Sequence, residues 1–258
     1  MKHHHTNRDT MNPIIVTIAR VFIGSAIALC CTELHAQQTD GGAVIPPPYK
    51  VSHVMTKEQQ QALKPADVLN EFMEGNKRFS RETITRRDHS AMVRKSAGGQ
   101  YPKAVVLSCL DSRIPIEDVL DQGLGDIFVA RVAGNVLNED ILGSMEFGCK
   151  VSGAKLIMVV GHRNCGAVKG AIADVKLGNI TALLAKIKPA IDMSSSFKGE
   201  KSASNSEFVE TVCNHNIEHV VNQIRLRSPI LAEMEKAGEL MLVGAYYDLD
   251  NGELSLLK

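Results

Sequence analysis

The stretch that decides the fold runs Ala104-Val105-Val106-Leu107-Ser108-Cys109-Leu110-Asp111-Ser112-Arg113. Its first half is a short apolar run, which is typical of a strand buried on both faces of a parallel sheet. Its second half places a thiol, a carboxylate and a guanidinium directly after that strand. Ligands of parallel sheets bind beyond the carboxyl ends of the strands. The sequence therefore predicts a chemically active edge at the end of this strand.

The same alternation of strand and helix continues through the rest of the chain. It predicts an α/β fold, with a mostly parallel four-stranded sheet, an added antiparallel edge strand and flanking helices. The turn into the edge strand is marked by Asn251-Gly252. The predicted strands are 104–107, 127–132, 155–160, 239–247 and 253–257. The predicted helices are 116–120, 138–151, 167–177, 180–191 and 205–227.

An N-terminal helical arm precedes this core. Residues 57–79 mix apolar and charged side chains in the pattern of one or two amphipathic helices broken near Pro65, and residues 86–96 continue as a polar helix. Neither segment is apolar enough to form a core alone, so we expect both to pack on a neighbouring element or a second subunit. Residues 37–56, rich in Gly, Pro and Gln, read as an extended arm, and 57–258 as the catalytic domain.

Residues 1–36 have the pattern of a secretory signal peptide. An apolar run follows a basic start, and Leu34-His35-Ala36 provides a small-residue cleavage site. A membrane anchor is the alternative, because the run approaches the length of a short transmembrane helix. The cleavage site favours a periplasmic or secreted protein without stable membrane insertion after cleavage.

Charge argues against a nucleic-acid partner. The chain has 29 basic and 29 acidic residues, and residues 1–36 contain three of the former and two of the latter, which leaves 26 and 27. A chain without excess positive charge has no electrostatic footprint for phosphates.

The candidate metal ligands are Cys109, His162 and Cys165. His162 and Cys165 follow a second predicted strand at a spacing of three, and Cys109 arrives from the strand beside it. Two thiolates and an imidazole suit zinc and leave a fourth position open for water. Disulfides Cys109–Cys165 or Cys149–Cys213 are the alternative for an exported protein, but we interpret the second pair as structural thiols. The pair His215 and His219 is a weaker metal candidate, since it has no evident third ligand.

Asp111 and Arg113 are the candidate catalytic residues. Zinc lowers the pKa of bound water enough to supply hydroxide near neutral pH. Asp111 beside it can accept the hydroxide's proton and orient its lone pair, and Arg113 can hold the carboxylate through a bidentate contact. An ordinary surface ion pair would be the better interpretation of an arbitrary D-x-R, but not of one beside a zinc ligand.

From about Leu63 to its C-terminus, the sequence resembles the β-class carbonic anhydrases. The markers are the Cys109–Arg113 motif, Asp121-Gln122-Gly123-Leu124-Gly125-Asp126, Arg131-Val132-Ala133-Gly134-Asn135 and Gly161-His162-Arg163-Asn164-Cys165-Gly166. The resemblance implies the same zinc ligands, the Asp111–Arg113 dyad and an active site at a dimer interface. The implied substrate-binding residues are Gln100, Phe128, Ala133, Phe147 and Gly166, of which Phe147 stands where the family commonly has tyrosine.

The sequence thus predicts zinc-dependent reversible hydration of CO₂ to bicarbonate by a homodimer or higher oligomer. The alternatives are hydrolysis of a related heterocumulene such as CS₂, or a non-catalytic zinc or redox thiol protein. Some family members close their site by moving the aspartate onto zinc, assisted by bicarbonate in a pocket containing tryptophan. This chain has no tryptophan, and Val106 stands at the matching place. We therefore expect Asp111 to stay on Arg113, off the metal, at neutral and alkaline pH.

Overall fold

The computed structural model describes residues 51–257, which form a five-stranded sheet flanked by helices. The strands lie in the order β2-β1-β3-β4-β5, and only the last pair is antiparallel. In register, Ala104 lies opposite both Ile127 and Leu156. The predicted α/β architecture is confirmed. The strands are β1 (Ala104–Ser108), β2 (Ile127–Arg131), β3 (Leu156–His162), β4 (Met241–Tyr247) and β5 (Leu254–Leu256).

The helices begin where the sequence supplies caps. Asn138, Asn205 and Ser228 each accept a backbone N–H of the first turn that follows, as N-cap side chains do. The helices are α1 (Lys57–Ala62), α2 (Pro65–Ser80), α3 (His89–Ser96), α4 (Ile116–Val119), α5 (Glu139–Glu146), α6 (Gly166–Ile172), α7 (Gly178–Ala185), α8 (Lys188–Met193), α9 (Ser206–Arg227) and α10 (Pro229–Lys236).

Several helices differ from the sequence prediction, among them α6, which ends at Ile172 rather than at residue 177. The helix expected over 138–151 is α-helical only to Glu146 and ends in a π-helical turn, Phe147–Val151. The helix expected over 180–191 is two helices, and the second has Pro189 in its first turn, where proline is well tolerated. Helix α10 was not predicted, although Ser228-Pro229 is a strong start signal.

The core lies on both faces of the central strands. Every residue of β1 and β3 is buried, as the near-continuous apolar character of these strands predicts. The long helix α9 covers β3 and β4 with its apolar face, which includes Val212, Ile217 and Ile224. A rigid sheet therefore supports the loops that follow β1, β2 and β3.

Helix α2 packs on the core of its own chain. Val68 and Phe72 are fully buried in that core. The buried Gln60 of α1 donates to the carbonyls of Pro102 and Ser152, at 2.6 and 2.7 Å. The sequence left open whether the arm packs on a neighbouring element of its own chain or on a second subunit. Much of α1 and α2 packs on the same chain.

The predicted signal peptide, 1–36, and most of the predicted extended arm, 37–50, lie outside the described residues. The described end of the arm begins with Val51, which forms a short parallel bridge to Arg87. Within residues 51–257, no helix combines the length and the apolar character needed to cross a membrane.

A buried carboxylate ties the arm to the loop after α4. The Asp121 side chain accepts hydrogen bonds from Arg78 Nε at 2.5 Å, Arg87 Nη1 at 2.6 Å and Thr85 Oγ1 at 2.7 Å. Burial alone would raise the pKa of Asp121, but these donors outweigh burial and lower it. Because the folded pKa lies below the unfolded one, this group stabilises the fold above the unfolded pKa, and the contribution is lost as pH falls through the folded pKa.

Asp121→Ala should therefore destabilise the protein by about 3 kcal/mol at pH 7, since it leaves Arg87 half-paired in the interior. The difference from wild type should shrink once pH falls below about 3.9, the ordinary value for aspartate. Urea unfolding between pH 7 and pH 3 measures both effects. Asp174→Ala is the matched control, because the Asp174–Lys176 pair is exposed. An Asp121 variant no less stable than this control would contradict the assignment.

Candidate metal centre and active site

Two strand ends at one edge of the sheet bring the predicted metal ligands together. Cys109 directly follows β1, His162 is the last residue of β3, and Cys165 is the N-cap of α6. All three side chains are buried, and their ligand atoms lie within 4.8 Å of one another. Among the described residues, this is the group of histidine, cysteine and carboxylate side chains close enough to hold a metal ion.

The imidazole of His162 is oriented as a metal ligand. Its Nδ1 lies 2.9 Å from the carbonyl oxygen of Arg163, which can only accept, so Nδ1 carries the proton and donates. Nε2 is then an acceptor, and it is buried without a hydrogen-bond partner in the described part of the chain. A buried acceptor without a partner is costly. A cation at this place would satisfy it, in the arrangement that metal-binding histidines commonly have.

The two thiols also fit a dication. Cys109 and Cys165 are free, with their sulfur atoms 4.0 Å apart, and the backbone N–H of Gly134 donates to Cys109 Sγ at 3.3 Å. The Cys165 thiol as donor lowers the pKa of Cys109 against the opposing effect of burial, while the neighbouring Cys109 thiolate and burial raise the pKa of Cys165. A zinc ion between the two sulfurs would favour both thiolates, so the residues present fit zinc.

A carboxylate stands beside this group. Asp111 accepts two parallel hydrogen bonds from Arg113, from Nε at 2.9 Å and from Nη2 at 2.7 Å. Its Oδ2 lies 3.9 Å from the unpartnered Nε2 of His162. The contacts with Arg113 outweigh burial and hold the pKa of Asp111 well below its usual range. Asp111 therefore stays ionised and accepts hydrogen bonds at any physiological pH.

Comparison with known proteins identifies the family to which a chain with this group of site residues belongs. The family model for carbonic anhydrase matches residues 104–254, a span that includes all three ligands and the Asp111–Arg113 pair. Carbonic anhydrase 2 of Mycobacterium tuberculosis is 33% identical over 192 residues, which cover 71% of this chain and 88% of the relative. The chain belongs to the β-carbonic anhydrase family. The zinc-dependent lyase interpretation is therefore preferred to the CS₂ hydrolase and redox alternatives.

Solved β-carbonic anhydrases share the fold. The enzyme from Coccomyxa, solved with acetazolamide, is 25% identical, with a TM-score of 0.59 over 73% of this chain and 86% of that one. The tetrameric β-carbonic anhydrases of Sordaria macrospora are 24% identical, with a TM-score of 0.59 over 74% of this chain and 94% of that one. The latter likeness concerns the fold.

Two of the predicted substrate-binding positions of this β-carbonic anhydrase adjoin the metal group, and three do not. Gly166 follows Cys165, and Ala133 precedes the glycine that donates to Cys109. Phe128 pairs with Val105, four residues before Cys109, or about 13 Å back along the strand. The remaining two, Phe147 and Gln100, are exposed. The roles of all five positions in substrate binding stay predictions.

Phe128 and Phe147 line a groove of their own. It has a volume of about 720 Å³ and runs between β2 and α5, with Val105 and Gly143 in its wall. Strand β2 is the edge of the sheet, and 55% of the Phe147 surface is exposed beside it. The groove is therefore open and mainly apolar, with Glu139 and Asp140 at its α5 side, next to an edge strand.

Arg131 is a residue of the site that sequence reasoning gave no role. It is the last residue of β2, opposite Ser108. Its side chain donates to the carbonyl of Cys109, at 3.2 Å, and to that of Asp111. Arg131 thus fixes the loop that carries a metal ligand and the carboxylate. The available signals were its place near the end of the predicted strand 127–132 and its position in the motif Arg131-Val132-Ala133-Gly134-Asn135.

The remaining cysteines and histidines of the sequence prediction lie elsewhere. Cys149 and Cys213 are free and buried, and burial raises the pKa of each thiol to about 12. Such thiols are protonated and act as small, mainly apolar side chains with a weak S–H donor. His215 Nδ1 lies 2.7 Å from the hydroxyl of Ser194, and burial lowers the pKa of His219. Neither histidine belongs to the metal group.

Proposed function

We propose that this β-carbonic anhydrase converts CO₂ and water to bicarbonate and a proton, reversibly, with zinc held by Cys109, His162 and Cys165. The observation that carries the proposal is the ionised Asp111 carboxylate beside the unpartnered Nε2 of His162. A fixed hydrogen-bond acceptor next to the metal position suits activation of water.

Three residues of the protein have separate roles in this reaction. Zinc, when bound, supplies Lewis acidity and lowers the pKa of water toward neutrality. Asp111 accepts a hydrogen bond from the reacting hydroxyl and so aims the oxygen lone pair toward the incoming carbon. Arg113 keeps that carboxylate ionised and in one orientation through its paired contacts. Arg131 holds the loop that carries Asp111 by donating to the backbone carbonyls of Cys109 and Asp111.

Stopped-flow assays of CO₂ hydration and of sulfide release from CS₂, run in parallel on the zinc-loaded protein, test the proposal. We expect rapid CO₂ hydration that a strong zinc chelator abolishes and added zinc restores, with no sulfide release. Release of sulfide from CS₂ without CO₂ hydration would favour the heterocumulene hydrolase instead. Absence of both activities in a protein with full zinc would favour a non-catalytic role.

We also propose that the enzyme acts in the periplasm or outside the cell after removal of residues 1–36. The basic start, the apolar run and the site Leu34-His35-Ala36 support this proposal. N-terminal sequencing of protein from the native host should begin at Gln37. A chain that keeps Met1 and sediments with the membranes would support the anchor interpretation.

Finally, we propose that the enzyme is a dimer or a larger homo-oligomer. The arm formed by α1–α3 contributes to the contact between subunits. The groove residues Phe128 and Phe147 serve an active site that a second copy of the chain completes. The groove is open and lies beside an edge strand, and its residue Phe128 pairs with Val105, four residues before the metal ligand Cys109. A fold relative from Sordaria macrospora is tetrameric.

Phe147→Glu should weaken this association by placing a charge in the apolar groove, with activity falling together with the oligomer. Sedimentation velocity and the CO₂ assay on the same samples measure both quantities. Val175→Glu, an exposed apolar position outside the groove, is the control. A wild-type protein that sediments as a fully active monomer would refute the proposal.

A further inference from the structure

One face of α9 contacts the backbone on both sides of the metal group. Asn216 is fully buried, and its Nδ2 donates to the carbonyl of Gly134 at 2.9 Å. Three residues earlier, and therefore on the same face of the helix, the Cys213 thiol donates to the carbonyl of His162 at 3.4 Å. Helix α9 thus holds both the loop after β2 and the end of β3.

Gly134 is the link between Asn216 and a metal ligand. Its N–H donates to Cys109 Sγ at 3.3 Å while its carbonyl accepts from Asn216. Its φ is +68°, and a Cβ here would lie 2.7 Å from Ile187 Cδ1, so a side chain at this position would be strained. Glycine has many accessible backbone conformations. The direction of its N–H must therefore be fixed by contacts from outside, and the Asn216 hydrogen bond is one of them.

The buried side chain of Asn216 costs free energy of folding, because one of its polar atoms has no hydrogen-bond partner among the described residues. A carbonyl oxygen can be contacted only by a donor, which fixes the amide with Nδ2 toward Gly134. Oδ1 is then buried without a partner among the described residues. A leucine would fill a similar volume without burying an unsatisfied acceptor. The hydrogen bond to Gly134 is the compensating contribution that an apolar residue could not make.

We propose that Asn216 is a positioning residue of the metal centre, which holds Gly134 so that its N–H donates to the Cys109 sulfur. Two thiolates and an imidazole cancel the formal charge of zinc and leave a poorer Lewis acid than three histidines would. An N–H hydrogen bond withdraws electron density from the sulfur and offsets part of that loss, as outer partners of metal ligands do. This inference rests on the proposed metal site.

The test uses cobalt in place of zinc in the full chain, because Co²⁺ reports on its sulfur ligands through a thiolate-to-metal charge-transfer band. In N216L and N216A this band should move to longer wavelength than in wild type, since the sulfur that loses its hydrogen bond gives up electrons more easily. Zinc affinity, measured by competition with a chelator, should fall about 10- to 100-fold. N216A adds no atoms to the core and serves where N216L does not fold.

N76A is the matched control. Asn76 is also buried, and it bonds to the backbone at Val119, Gly252 and Leu254, in a part of the core that the metal site does not use. N76A should lose stability but keep the wild-type band and zinc affinity. Asn216 variants with an unchanged band and affinity would overturn the positioning role. A wild-type cobalt protein without a thiolate band would instead overturn the metal site itself.

Discussion

His162→Ala should leave the protein without bound zinc and without CO₂ hydration activity. The variant removes the buried Nε2 that no other group of the described chain satisfies, and two thiols alone make an incomplete site. Changes to outer partners of a metal ligand cost about 10- to 100-fold in affinity or activity, and loss of a ligand should cost more. Elemental analysis of the purified variant and a stopped-flow assay measure the two losses. Cys109→Ala should behave in the same way.

Matched controls separate this effect from general damage to the core. Cys149→Ala also removes a buried free thiol, and His215→Ala a histidine that bonds to a serine hydroxyl. Both should retain one zinc per subunit and most of the activity. Full zinc occupancy in His162→Ala would show that the ligand set is wrong.

Arg113→Ala should retain zinc but lose at least about 100-fold in kcat, in the range that positioned proton-handling groups contribute. The variant removes both hydrogen bonds that fix Asp111 but none of the three ligands. The freed carboxylate can then move toward the metal as a fourth ligand and exclude water, which gives the closed form. Zinc analysis and the CO₂ assay distinguish this outcome from loss of the metal.

Arg225→Ala is the matched control for Arg113→Ala. Arg225 forms an equivalent two-point contact with Glu235, at 2.8 Å for each bond, between α9 and α10. This variant should lose stability and keep its kcat. An Arg113→Ala protein with wild-type kcat would contradict the role of the pair. A wild-type crystal at alkaline pH with Asp111 bound to zinc would contradict the expected open form.

The sheet was predictable because its signals are local and strong. The apolar runs at 104–107 and 155–160 are short, continuous and followed by polar motifs, and parallel sheets with such strands bind ligands at one edge. The structure accordingly brings Cys109, His162 and Cys165 within 4.8 Å. Periodicity also located the long helix at 205–227, whose cap is Asn205.

The rest depended on contacts between distant parts of the chain. The two predicted pocket residues Phe128 and Phe147 line a groove beside the edge strand β2 and do not adjoin the metal group. No local pattern shows where a strand face points relative to a second subunit. In the π-helical turn Phe147–Val151, Gly148 lies close to Val105 and Phe128, a contact between distant parts of the chain that the helical pattern of 138–151 did not show. Arg131 belongs to one of the family motifs, but its contacts, like that of Asn216, are made to backbone carbonyls, and a sequence motif does not show which carbonyl a side chain will reach.

X-ray absorption at the zinc edge of the wild-type enzyme tests the metal centre most directly. Two sulfur scatterers at about 2.3 Å and the remaining nitrogen or oxygen scatterers at about 2.0–2.1 Å are the predicted first shell. One zinc per subunit should accompany this spectrum. A shell of nitrogen and oxygen without sulfur, or one of four sulfurs, would contradict a centre built from Cys109, His162 and Cys165.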